Sequence, residues 1–471
     1  MDIKKAAYKY VLESSKSNYT VQTLATTMML EDFGIEKCFE ILSMPVEEFC
    51  KENSPNITKD YMYKNDFLTP RNAYLINPLY YLYYTYLVFC ISEEYFNKEG
   101  MLDFSRNNLN IFYAGFYTNN KIDKNFTRYY DSYRNFQEKR EEYLGKSALK
   151  IDIKDFFDSI KLSNLFSKLY RTVNNKKFVK DLEYLLKYCG FEVLPQFNYS
   201  IASSILSQIY LQDFDRKIEE YLPKTAVYIR YVDDMYFINT LEEDLKEFNA
   251  WMNNIIHFLW EGDLHINTNK TRILSEEDYQ IHIQLPENTY GKETNSHYIK
   301  LIDEKSSNVV DEGNFYNMIM DLCKVEEELG IDMMQYEEII NKYLSIDGDY
   351  TNKVLKDIIY TFKWKGMDFG ELEDISDNWK FILFNPLHFT VLYIMIKNYL
   401  KDLDFDNENK IKEIIDYLMS NNTLTFRDLI IAVTYLLQTE FKENEILNKI
   451  NESDSKFTDF IYKYVILKNR T

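Results

Sequence analysis

Glycine and proline are scarce in this chain, 12 and 8 of 471 residues. That shortage argues against an all-β sandwich or barrel, whose many tight turns need both, and favours a mainly helical protein with one or two sheets. Cysteine is scarce and unpatterned: Cys38, Cys50, Cys90, Cys189 and Cys323 show no C-x-x-C spacing and make an odd count. Neither a zinc site nor a disulfide framework is indicated. Long apolar runs are missing too. The best membrane candidate, Pro78 to Ile91, is too short to span a bilayer and carries five tyrosines. The start, Met-Asp-Ile-Lys-Lys, lacks the apolar stretch of a signal peptide, so a cytoplasmic protein with no membrane partner is expected.

Basic charge is also short. Lys and Arg number 55 against 75 Asp and Glu, a net of −20, which works against a generic nucleic-acid binder. The deficit is uneven: Ser306 to Thr471 holds 18 Lys and Arg against 30 Asp and Glu. One stretch, Tyr117 to Lys150, is locally basic through Lys121, Lys124, Arg128, Arg134, Lys139, Arg140, Lys146 and Lys150, and a phosphate contact is expected there.

What the chain has in quantity is apolar and aromatic mass. Hydrophobic residues make up 46%, enough for a large core, and the length suggests two to three domains. Residues 1–145 read as a helical region, with Asn77-Pro78 as an N-cap followed by proline at the first helical position. Asn385-Pro-Leu repeats that start signal. From Lys146 the pattern changes. Ala148 to Ile153 reads as a strand, Asp155 to Val173 as a helix, Leu194-Pro195-Gln196 as a break, and Ile201 to Tyr221 as a second helix. A helix from Leu241 to Trp260 and strands over Tyr279 to Leu285 and His297 to Ile302 complete a region ending near residue 305, an antiparallel sheet backed by helices. Residues 306–471 read as helices separated by short polar links, a stack of helical pairs.

The chain is organised around Tyr228 to Ile238. Val227, Ile229 and Tyr231 alternate on one side of Val232-Asp233-Asp234, and Met235 and Phe237 on the other, so a hairpin carries two adjacent carboxylates at its tip. Two aspartates are also ordinary turn residues. A third carboxylate, Asp152, ends the strand of Leu-Lys-Ile-Asp-Ile-Lys-Asp-Phe-Phe and precedes a helix. Three hard oxygen donors brought together would hold two Mg²⁺ (or Mn²⁺) ions, which suits transfer of a nucleotidyl group.

Asp152's segment and Tyr231-Val-Asp-Asp resemble motifs A and C of reverse transcriptases. Leu194-Pro-Gln resembles the start of motif B, Leu264 to Thr271 with its Asn-Lys-Thr ending resembles motif D, and His297 to Ile302 sits where the primer grip belongs. The resemblance implies an α+β fold with a right-hand palm and fingers core, the palm over residues 146–305 and the fingers within the N-terminal helical region 1–145. It assigns Asp152, Asp233 and Asp234 as metal ligands together with the backbone carbonyl of Ile153. Phe157 would be the steric gate that selects deoxynucleotides, Gln196 would lie near the incoming nucleotide, and Lys270 would face the pyrophosphate. A plain core role is the alternative for Phe157, and an exposed strand-end lysine is the alternative for Lys270. Phe197 stands where the family usually has glycine, and a large side chain there is expected to crowd the template or nucleotide.

With an unfamiliar N-terminal region and a helical tail, the chain is similar to bacterial abortive-infection (Abi) and related defence-associated reverse transcriptases. That resemblance implies a C-terminal helical-repeat domain, an anti-phage role, a homo-oligomer, and DNA synthesis from dNTPs without a template, primed by a protein hydroxyl such as tyrosine. Two alternatives stay open: templated copying of a bound non-coding RNA docked on the basic stretch, and a non-catalytic palm-fold binder of nucleic acid.

Overall fold

A computed structural model describes residues 2–17, 19–64, 67–99, 104–106, 108–115, 117, 129–197, 200–241, 245–284, 296–346, 350–402 and 412–466. The chain divides into two compact units, one of Met1–Thr58, Asn72–Lys292 and Leu467–Thr471, the other of Lys59–Arg71 and Glu293–Ile466. Residues before 145, apart from Lys59–Arg71, thus pack in one unit with the carboxylate-bearing hairpin, and residues 293–305 belong with the helical tail.

In the first unit, two short strands, β1 (Thr58–Lys59) and β2 (Tyr74–Leu75), precede a six-stranded sheet. That sheet contains β3 (Phe104–Arg106), β4 (Leu109–Phe112), β5 (Ala148–Ile151), β6 (Ala226–Tyr231), β7 (Asp234–Asn239) and β8 (Arg272–Leu274), in the order β3-β4-β6-β7-β5-β8. The expected antiparallel sheet is in fact mixed, because β4 runs parallel to β6 with Leu109 opposite Tyr228. One face of the sheet contributes Ala148, Val227, Ile229, Tyr236 and Ile238 to a core completed by Phe136, Tyr279 and Ile283.

The helix over Pro78–Glu99 starts as the sequence predicts, with Asn77 Oδ1 accepting from the Leu79 amide at 3.0 Å. Ile201–Tyr221 is likewise one continuous helix. The helix expected over Asp155 to Val173 is broken into Phe156–Ser159 and Leu162–Thr172. Backbone pairing with the motif B segment breaks it: Leu194 N donates to Ile160 O at 2.9 Å and Leu162 N to Glu192 O at 2.9 Å.

Two expected strands are helices. Tyr279 to Leu285 falls largely in the helix Glu276–Gln284, and His297 to Ile302 lies inside Ser296–Asp311. Three acids in the first turn and the Ser275 hydroxyl, which accepts from Asp278 N at 3.1 Å, start the former helix. Its alternation of Tyr279, Ile281 and Ile283 misleads, since Tyr279, His282 and Ile283 are buried at helical spacing while Ile281 is 55% exposed.

The second unit is helical through Asn314–Leu329, Met333–Leu344, Thr351–Tyr360, Phe369–Asp377, His388–Asp402, Lys412–Ser420, Phe426–Gln438, Asn444–Ser453 and Ser455–Ile461. Its unforeseen part is the segment 59–71. Tyr61 donates to Asp454 Oδ2 at 2.7 Å and packs edge-on to Phe426 and Phe457, and Arg427 Nη2 donates to Phe67 O at 2.7 Å.

Candidate active site

The hairpin and the strand that meets it place the three aspartates together at one end of the sheet. Strands β6 and β7 pair from Ala226 opposite Asn239 to Tyr231 opposite Asp234, so the turn proper is Val232-Asp233 and Asp234 opens the returning strand. Val232 has φ 53°, a left-handed conformation that costs a β-branched residue roughly 1–2 kcal/mol and that glycine would adopt freely. Strand β5 lies beside β7 with Ile151 opposite Met235 and Lys150 opposite Tyr236. Continuing that register sets Asp152 next to Asp234, with both side chains on the face that carries Lys150 and Tyr236.

Asp152 is anchored by its backbone: its amide donates to Thr271 Oγ1 at 3.4 Å and its carbonyl accepts from Asn267 N at 2.8 Å. The motif D loop is thereby fastened to motif A. Its lysine follows, with Lys270 Nζ 3.6 Å from Asp152 Oδ2; that ammonium is 66% exposed and the carboxylate 14%.

Removal from water, with Asp234 and Asp152 adding their charge, pushes the Asp233 carboxyl up to about 7, while Lys270 pulls the other way. Burial raises Asp234 as well, opposed by Lys150 and Arg140. Lys150 in turn is lowered by burial, with Asp234 holding it up. Among the described residues, no group of three or more His, Cys, Asp or Glu side chains is gathered so as to hold a metal ion unaided. The donor chemistry nonetheless suits a hard divalent cation: carboxylate oxygens of Asp152, Asp233 and Asp234, with the Ile153 carbonyl next in line.

Phe157 is half-buried, and its neighbour Phe156 is the core residue, with their rings 5.4 Å apart. Gln196 is also partly exposed, and its carbonyl accepts from Tyr74 N at 3.0 Å. Phe197 departs from expectation. It is 4% exposed, with Tyr84 at 5.6 Å, Phe191 at 5.7 Å and Tyr81 at 6.2 Å between ring centroids. The aromatic wall of the helix Pro78–Glu99 gives that ring a pocket, so it turns inward and does not crowd a template.

Part of the basic stretch is engaged within the protein. Lys121, Lys124 and Arg128 lie outside the described residues. Arg140 is buried and donates to Tyr236 Oη at 3.1 Å, Lys139 pairs with Glu142 at 2.6 Å, and Lys146 donates to Leu241 O at 3.0 Å. Tyr117 is core, stacked on Phe89 at 4.8 Å.

Residues 108–305 match the protein family described as Reverse transcriptase (RNA-dependent DNA polymerase). The chain carries a reverse transcriptase domain. Members of that family are nucleotidyltransferases. The reverse transcriptase domain begins well before Lys146 and includes β4, whose parallel pairing with β6 the sequence did not disclose.

No curated protein sequence matches the chain. Among solved structures, telomerase from Candida albicans in complex with the TWJ fragment of telomeric RNA is similar over 62% of this chain and 52% of that one, at 14% identity and a TM-score of 0.24. Apo telomerase from Candida tropicalis is similar over 90% of this chain and 73% of that one, at 13% identity and a TM-score of 0.27. The chain thus spans about half the length of the first of these.

Within the reverse transcriptase domain, sequence reasoning passed over Arg230, Asp215 and Gln208, which join beside the Val232-Asp233 turn. The signal was present: Arg230 is a charged residue in the middle of an otherwise apolar strand, and it is completely buried.

Proposed function

We propose that the chain is a defence-associated, abortive-infection type DNA polymerase that adds dNTPs by two-metal chemistry. What carries the catalytic part is the gathering of Asp152, Asp233 and Asp234 at one sheet end, with Asp233 driven towards protonation by burial and then by its two carboxylate neighbours. Mg²⁺ or Mn²⁺ held by these carboxylates and the Ile153 carbonyl would, when bound, supply the positive charge that developing oxyanions need. The chain's own residues do the rest. Phe157 presents a half-exposed ring five residues beyond Asp152, where it excludes a ribose 2′-hydroxyl. Gln196 borders the incoming nucleotide, and Lys270 offers an exposed ammonium to the pyrophosphate. All three carboxylates being present at one edge speaks against a binder without activity.

In this reading synthesis is untemplated and primed by a tyrosine hydroxyl of the protein, leaving DNA joined to it, and the enzyme acts as a cytoplasmic homo-oligomer with a helical-repeat tail. Its support is the charge: a net −20 chain whose 306–471 segment carries 30 acids against 18 bases is a poor grip for a duplex. A second reading, copying of a bound non-coding RNA, is favoured by the inward-turned Phe197, whose ring packs in the core. To separate the two, the protein is purified from cells, digested in parallel with protease, DNase and RNase, and the attached nucleic acid sequenced. DNA on a tyrosine peptide with no template match supports the first reading; a co-purified RNA complementary to the product overturns it.

A further inference from the structure

The catalytic turn rests on a buried strut. Arg230, two residues before Val232 on β6, donates from Nε to Asp215 Oδ1 at 2.9 Å and from Nη2 to Asp215 Oδ2 at 2.6 Å. Its Nη1 donates to Gln208 Oε1 at 2.8 Å and to Val232 O at 2.9 Å. Tyr228 Oη adds a hydrogen bond to Asp215 Oδ1 at 3.1 Å. Asp215 and Gln208 are seven residues apart, two turns of one face of the helix Ile201–Tyr221. That helix begins just after motif B, and Ser203 Oγ donates to Pro195 O at 2.6 Å, so the element that braces the hairpin also holds the Pro195-Gln196 loop.

We propose that Arg230, fixed by Asp215 and Gln208, is a positioning residue for nucleotidyl transfer. It sets the Val232 peptide, and thereby the direction in which Asp233 and Asp234 leave the turn. Three features support this. The Val232 carbonyl belongs to the turn and is not part of the ladder between β6 and β7, which closes with Tyr231 opposite Asp234. Val232 holds a conformation unusual for a β-branched residue, and such a conformation persists only where its surroundings over-determine it. A buried ion pair is moreover a weak device for stability, because well-packed apolar groups of the same volume serve as well or better. A guanidinium can fork to a carboxylate while aiming its remaining nitrogen at an amide oxygen and a backbone carbonyl, which no apolar side chain can do.

The inference rests on Asp233 being catalytic, so its test combines an activity readout with one that does not depend on activity. Replacing the pair outright, Asp215→Leu with Arg230→Met, should leave a folded protein that melts like the wild type. Its kcat for dNTP incorporation should fall tenfold or more at an unchanged KM. Amide hydrogen exchange in the peptide covering residues 227–238 should quicken tenfold or more, with the rest of the domain unaltered. Gln208→Leu, which cuts one anchor only, should give a severalfold change in both. Asp233→Asn should abolish incorporation and leave hairpin exchange as it was. If Asp233→Asn retains activity, the catalytic reading fails while exchange still judges the strut. A folded double variant with wild-type kcat and wild-type hairpin exchange overturns the proposal; should that variant not fold, Gln208→Leu decides by the same two measurements.

Discussion

Lys270 Nζ lies 3.6 Å from Asp152 Oδ2, so the cation nearest the carboxylate that ends β5 comes from motif D. Lys270 also opposes the rise of Asp233. Lys270→Ala should therefore slow incorporation by about 100-fold or more, within the range typical of losing a positioned proton donor. The drop should be steepest when pyrophosphate departure limits the rate, which single-turnover kinetics would reveal.

Asp233→Asn is expected to act in two directions. Incorporation should fall by at least about 100-fold, the scale of losing a preorganised electrostatic element. The metal-free protein should become more stable at alkaline pH. The folded carboxyl titrates near 7, above its unfolded value, so the wild type loses stability as pH rises from about 4 to 7 and carries the full penalty above that, which asparagine removes. Thermal melts at pH 8 with and without Mg²⁺ would show this: the ion should stabilise the wild type and leave the variant unmoved.

Phe157→Ala should admit ribonucleotides. The wild-type ring is only half-buried, so its loss should cost little stability while removing the clash with a 2′-hydroxyl. Competition between dNTP and NTP would be expected to shift by about tenfold or more, the worth of roughly 1.4 kcal/mol of lost discrimination. Unchanged sugar preference would return Phe157 to a packing role.

Phe197→Gly should not liberate templated copying. It removes a core ring from between Tyr81, Tyr84 and Phe191, and a loss of about 3–5 kcal/mol is expected from the cavity alone. Urea unfolding would measure it. A variant as stable as the wild type would contradict the inward placement.

His388 should make the second unit acid-sensitive. It is buried, accepts or donates at Nδ1 to Tyr360 Oη over 2.8 Å, and burial lowers it to about 3. The folded value lies below the unfolded one near 6.5, so stability is full above about pH 6.5 and drains as pH falls towards 3. Between pH 7 and 4.5 the loss should be about 2–3 kcal/mol, and His388→Gln should flatten the curve.

The Val232-Asp233 hairpin and the strand of Asp152 were legible because short-range patterns write them: alternation on both sides of a two-residue turn, and a strand ending in Asp before Phe156. The helix Glu276–Gln284 was not, because Tyr279, Ile281 and Ile283 fit a period of two, while its true buried face of Tyr279, His282 and Ile283 includes a polar residue that only packing places inside. Arg230 escaped for a related reason. Its partners Asp215 and Gln208 lie 15 and 22 residues back along the chain, and no local pattern announces which helix a strand will brace against. Phe197 was misjudged because its pocket is built by Tyr81 and Tyr84, more than a hundred residues away.

The segment 59–71 has a consequence for synthesis on the ribosome. Tyr61 finds Asp454 across 393 residues, and Phe67 finds Arg427 across 360. At about 5–20 residues per second, roughly 20–80 seconds pass between the emergence of Tyr61 and that of its partner. During that interval Tyr61, Tyr63 and Phe67 are exported without the helices that will cover them. A nascent chain stalled before residue 427 would display this aromatic strip, a natural foothold for a chaperone.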